Sequence, residues 1–113
     1  MYIRTKDGVY EVVTAERCSD NKLLYIISTS KTENTTDWVH EADVISKADT
    51  IEELCDRFVV IDKETKEVMN IVSFLPYAIL WSSCKYNIYG AVWCEWGLKY
   101  VAKMNDKGKL ELI

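Results

Sequence analysis

The tripeptide Asp106-Lys107-Gly108 constrains this chain more than any other stretch, because it fixes a strand pairing. It has the composition of a three-residue hairpin loop, a type I turn followed by a glycine at positive φ, and such a loop sets the register of its flanking strands. Asn105 then closes against Lys109. Counting outward puts Met104 opposite Leu110, Lys103 opposite Glu111, Ala102 opposite Leu112 and Val101 opposite Ile113. One face of the pair is apolar and the other includes opposite charges. A slip of one residue carries Lys103 to the apolar face, so the pattern favours a single register. Upstream, Glu95-Trp96-Gly97 reads as a second short connection, between residues 88–94 and 98–104. The C-terminal region is thus expected to be a three-stranded antiparallel meander.

The rest of the chain reads in similar units. Residues 3–13 form a hairpin around Asp7-Gly8, a pair suited to a two-residue type I′ turn, with Thr5 opposite Tyr10, Ile3 opposite Val12 and Arg4 opposite Glu11. Residues 23–27, LLYII, are a nearly continuous apolar run that suits a central or doubly covered strand. The polar cluster at residues 28–37, STSKTENTTD, reads as an exposed loop. Asp49-Thr50-Ile51-Glu52 has the form of a capping box, with Ile51, Leu54, Cys55 and Phe58 following at helical spacing, which predicts a helix of about two turns. The preceding VHEADVISKA fits a brief strand or a helical turn equally. Residues 58–61 and 68–72 flank a polar loop and form another hairpin. Pro76 suits the first turn of a short apolar helix over residues 77–83, with Ile79, Leu80 and Trp81 packing under the sheet.

These elements predict one α+β domain over residues 1–113. Antiparallel hairpins form a strongly curved sheet or a small barrel, carrying one or two short helices. Closure is an option because about seven short strands leave edges that must be covered or paired. The 49% hydrophobic and 28% charged fractions are those of a folded protein. No apolar run approaches the roughly 18 residues of a membrane span, and MYIRTKDG lacks the apolar core of a signal peptide. The expected location is therefore the cytoplasm, with Cys18, Cys55, Cys84 and Cys94 as free thiols. They show neither a CxxC nor a paired-histidine spacing, so no metal site and no cofactor is expected.

Three segments carry a resemblance: IRTKDGVYEV at the start, ADTIEELCDRF in the middle, and YGAVW followed by GLKYVAKMNDKGKLEL at the end. Together they resemble a group of small proteins encoded in phages and prophages of Gram-positive bacteria. The likeness covers about half the chain and is least over residues 70–87. It implies a mobile-element origin and expression inside a bacterial host cell. Every shared motif is a turn, a cap or a strand, and the group has no assigned activity, so no functional residue is carried over.

Candidate chemistry is weighed residue by residue. His40 is the only histidine, and a thiol nucleophile needs a base within reach, but nothing local pairs it with a cysteine; no catalytic residue is assigned. Charge is more informative. Residues 33–67 hold eleven acids and four bases, whereas residues 70–113 hold five lysines and three acids. The leading expectation is a non-enzymatic protein-binding module whose acidic face carries Asp37, Trp38, Glu41, Asp43, Glu52, Glu53 and Asp56. An aromatic anchor ringed by charge has interface composition, and a partner met through it is basic. The alternative is a single-strand nucleic-acid-binding domain using Lys99, Lys103, Lys107 and Lys109 with Tyr86, Tyr89 and Trp96 as stacking partners. A net charge of −4 disfavours it. Neither the partner's identity nor the oligomeric state is written in the sequence.

Overall fold

In the computed structural model, which describes residues 1–30 and 32–113, the described residues form ten strands in two antiparallel five-stranded sheets. The first sheet holds β1 (Tyr2–Thr5), β2 (Gly8–Arg17), β3 (Leu23–Ser28), β4 (Thr36–His40) and β5 (Ser46–Ala48), in the order β4-β3-β2-β1-β5. The second holds β6 (Arg57–Asp62), β7 (Val68–Val72), β8 (Tyr86–Cys94), β9 (Gly97–Met104) and β10 (Leu110–Leu112), in the order β10-β9-β8-β6-β7. Neither sheet closes, so the small barrel is not formed. The fold is mostly β: its one α-helix, α1 (Leu75–Ile79), is five residues long.

The C-terminal meander has the register that its turn chemistry dictates. Met104 pairs with Leu110, Lys103 with Glu111 and Ala102 with Leu112. Asn105 N donates to Lys109 O at 2.8 Å, and Gly108 takes φ of 80°. The β6–β7 hairpin also forms, with Phe58 opposite Val72 and Val59 opposite Ile71. Between β8 and β9, Cys94 pairs with Gly97, so the connection is only Glu95-Trp96.

The first hairpin differs from expectation by two residues. Thr5 pairs with Gly8, Arg4 with Val9 and Ile3 with Tyr10, which makes Lys6-Asp7 the turn. Both turn residues have negative φ, whereas a type I′ turn needs both positive. Thr5 Oγ1 accepts from Asp7 N at 3.2 Å and holds this closure. A shift of two preserves which residues share a face. Ile3 and Tyr10 still face one core, but Arg4 loses Glu11 as its partner.

The predicted helix after Asp49 is the larger departure. Only a 3₁₀ turn, Glu52–Leu54, forms there; Asp49 does not cap it, and it is Thr50 Oγ1 that accepts from Glu53 N, at 3.4 Å. Cys55 is already extended, and Phe58 belongs to β6. The ambiguous VHEADVISKA resolves into both options: the end of β4, a 3₁₀ turn at Glu41–Asp43, and then β5. The loop expected over 28–37 is shorter, because Ser28 ends β3 and Thr36 and Asp37 begin β4; Thr29 N bonds to Thr35 O at 3.1 Å, and Lys31 lies outside the described residues.

Three apolar clusters make the core. Ile3, Tyr25 and Ile27 anchor the first sheet, and Phe58, Val60, Leu75, Ala78 and Ile88 seat α1 on the second. Between the sheets, Val9 meets Val92 and Val101 around Ile51 and Leu54 of the 3₁₀ turn. The α1 expectation is corrected here, because Leu75 and Ala78 are its buried residues whereas Ile79 and Leu80 are exposed. Trp81 is half-buried, edge-on to Tyr86 at 5.3 Å. A helix this short turns a single stripe inward, and the three-residue step from Leu75 to Ala78 takes it.

Asp56 joins the sheets. Its backbone N donates to Ala91 O at 2.9 Å. Its Oδ1 accepts from Arg4 Nη1 at 2.8 Å, and its Oδ2 accepts from Trp93 N and lies against Arg4 Nη2, both at 2.7 Å. Burial disfavours the charged carboxylate, but the Arg4 bond and the Trp93 amide outweigh it and hold its pKa below the ordinary value.

Two outcomes follow from this architecture. Gly108→Val leaves the loop room, since no atom lies within 4 Å of the new β-carbon. Chemical denaturation should nevertheless show a loss of about 1 kcal/mol or more, because a β-branched residue resists φ of 80°. Asp56→Asn should cost about 2 kcal/mol at pH 7, the scale of hydrogen bonds to a charged group. A depressed folded-state pKa means that its stabilisation is complete above the unfolded pKa of about 3.9 and is lost as pH falls below it. The gap between wild type and variant in urea titrations should therefore narrow below that pH.

Candidate functional site

The acidic residues are distributed over several elements. Asp37 and Trp38 lie on β4 at one edge of the first sheet, while Glu52 and Glu53 lie in the 3₁₀ turn next to β5, at the other edge. Glu41 and Asp43 sit on the crossover between them. Asp56 is committed to Arg4 and Trp93. Trp38 itself points outward, 67% exposed, with its backbone N donating to Asp37 Oδ1 at 2.8 Å.

The lysines and aromatics of the alternative reading divide into two groups. Lys99 donates its Nζ to Asp7 O and so ties β9 to the first hairpin. Trp96 stands at the β8–β9 turn, 94% exposed, at that same end of the sheet. Tyr89 stacks on Tyr100, ring centroids 5.2 Å apart. At the other end, Lys103, Lys107 and Tyr86 line an open groove of about 1080 Å³ together with Lys63 and Lys66. Lys109 lies in the same β9–β10 hairpin, exposed. Turn residues bring Lys63 and Lys66 there. Asp62 Oδ1 accepts from Glu64 N at 2.8 Å and Thr65 N at 3.0 Å, Lys66 takes φ of 65°, and Lys63 N donates to Lys85 O at 2.9 Å. Those amide bonds also hold the Asp62 pKa below its ordinary value.

One surface escapes the sequence reading. Along β7 and α1, Val68, Met69, Ile71, Phe74, Tyr77, Ile79 and Leu80 are all exposed, Leu80 by 82%. Phe74 and Tyr77 meet edge to face, ring centroids 6.2 Å apart. The available signal is the absence of charge: residues 68–84 contain no Asp, Glu, Lys or Arg. An uncharged stretch reads as core by composition, and only the fold shows that nothing covers this one.

All four cysteines are free, and among the described residues no group of three or more His, Cys, Asp or Glu gathers for a metal. Cys55 packs so closely over Gly90 that a β-carbon there would lie 2.7 Å from its sulfur. Burial, with the nearby Asp56 charge, pushes its pKa to about 12. A thiol that stays protonated is a poor nucleophile. Iodoacetamide at pH 7.5 should therefore label exposed Cys84 while leaving Cys55 unmodified until the protein unfolds, a contrast that peptide mass spectrometry resolves. No protein-family model, curated protein or solved structure matches this chain.

Proposed function

We propose that this chain is a non-enzymatic protein-binding module, an accessory protein of phage or prophage type acting in the cytoplasm of a bacterial host. The phage origin is supported by the resemblance of its hairpin and central segments. Four free cysteines suit a reducing compartment. Among the described residues no helix is long and apolar enough to cross a membrane.

The observation that carries the binding role is the uncharged surface of β7 and α1, where seven large apolar side chains face outward in one stretch of chain. Scattered exposed hydrophobics are ordinary, but so many within one uncharged stretch, Phe74 and Tyr77 in mutual contact, favour a contact surface. Its aromatic and aliphatic residues are those that anchor interfaces. Trp38 supports a second contact, because it is exposed beside Asp37 at a sheet edge. A basic partner suits that edge, with association that slows as salt is added.

The test compares folded variants in quantitative capture from bacterial lysate, with and without nuclease, alongside sedimentation of the purified protein. Tyr77→Ser/Leu80→Asp should weaken capture of a specific protein by at least about tenfold, the scale of one interface hot spot. Loss confined to Trp38→Ala or to Glu52→Lys/Glu53→Lys moves the contact to the acidic face. Undiminished capture by all three variants overturns the protein-binding surface. Capture abolished by nuclease transfers the role to nucleic acid.

A further inference from the structure

We infer that the groove at the open end of the second sheet binds a compact phosphate-bearing ligand, of the nucleoside polyphosphate or pyrophosphate kind. Four lysines reach it from separate parts of the chain: Lys63 and Lys66 from the β6–β7 connection, Lys103 from β9 and Lys107 from the β9–β10 loop. Beneath each loop lysine the backbone is fixed, by the Asp62 turn on one side and by Lys107 N donating to Asn105 Oδ1 at 2.9 Å on the other. The concavity is therefore built into the hairpins themselves.

The charge in the groove is not neutralised from within. Among the described residues the only ion pair is Arg4–Asp56, so none of these four ammonium groups has a carboxylate within 4.0 Å. Two carboxylates also line the groove, Asp106 and Glu111, and Glu111 Oε1 already accepts from Asn105 Nδ2 at 2.9 Å. Four lysines against two side-chain carboxylates leave the lining net positive, and a concave wall focuses that field outward. An anion entering the groove offsets that charge and gains several charge-assisted hydrogen bonds at once. Ser82, Ser83 and Asn87 add neutral donors, and Tyr86 supplies an aromatic wall. The other large groove, between the β2 side of the first sheet and β10, has Glu11, Glu33 and Glu111 in its lining instead.

Convergence, rather than a stripe, sets the ligand class. A single nucleic-acid strand needs cations and aromatics spaced along a track. Continuing along β9 from Lys103, the next lysine is Lys99, about 13 Å away, and its Nζ is occupied by the Asp7 carbonyl. Trp96 lies beyond it, at the far turn. The lysines therefore share one groove instead of following a track, which suits a ligand carrying two or three phosphates.

This inference is independent of the protein-binding reading, and its test reads only ligand binding. Isothermal titration of the whole chain with ATP, with inorganic pyrophosphate and with a twelve-residue oligothymidylate supplies the probes. ATP and pyrophosphate should bind. Lys63→Glu/Lys107→Glu should weaken both by at least about tenfold, as expected when two charge-assisted contacts are reversed. Lys6→Glu/Lys22→Glu, with the same change in net charge outside the groove, should leave them within about twofold, the size of a long-range screened effect. The proposal is overturned by absence of binding at millimolar probe, by equal weakening in the control variant, or by binding of the oligonucleotide alone.

Discussion

Asp56 is the main polar junction between the two sheets, beside the apolar contact of Val9 with Val92 and Val101. Its amide is bonded to β8 and its carboxylate to β1 and to the amide of Trp93, so a single residue ties together three segments distant in sequence. The choice between helix and strand at residues 49–58 follows from this. A helix of two turns is marginal on its own, because nucleation fixes several residues before propagation rewards them. Hydrogen bonds to the Asp56 carboxylate are worth about 1.5–3 kcal/mol each and form only if the chain extends at Cys55. The extended form also delivers Phe58, Val59 and Val60 to the sheet as fully buried residues. Tertiary bonding thus outweighs a local signal that points to a helix.

That contest explains which parts of the fold were legible in the sequence. The β9–β10 pairing was readable because everything that fixes it lies between Val101 and Ile113, and Asp106-Lys107-Gly108 admits one closure. The β6–β7 hairpin was readable for a similar reason, with Asp62 holding the loop. The first hairpin was half legible. Its composition announced a turn, but Thr5 Oγ1 chose Lys6-Asp7 over Asp7-Gly8, and the sequence does not rank those closures. The ion pair of Arg4 with Asp56 spans residues that no local rule connects.

Site residues divide along the same line. Lys103, Lys107 and Tyr86 were readable as a cluster because one meander carries all three. Lys63 and Lys66 were not, since they arrive from another hairpin through strand pairings that only the fold reveals. The acidic residues present the opposite case: neighbours in sequence, they are distributed over β4, the 3₁₀ turn on the β4–β5 crossover and the 3₁₀ turn after β5. Proximity along the chain was a good guide only where no crossover intervened.

The same geometry decides how a partner meets this molecule. An edge strand invites strand addition through its unpaired amides unless they are occupied. On β7, Ile71 N donates to Asn70 Oδ1 at 3.0 Å, and on β4, Trp38 N donates to Asp37 Oδ1 at 2.8 Å. Each edge thus spends an amide on the side chain of the preceding residue, which weakens the template that another strand would extend. What these edges still offer is their side chains: Val68, Met69 and Ile71 on one, Trp38 on the other. If the proposed partner docks at either edge, its recognition would rest on apolar side-chain docking, whose specificity lies in shape, more than on backbone pairing, which any extended chain can supply.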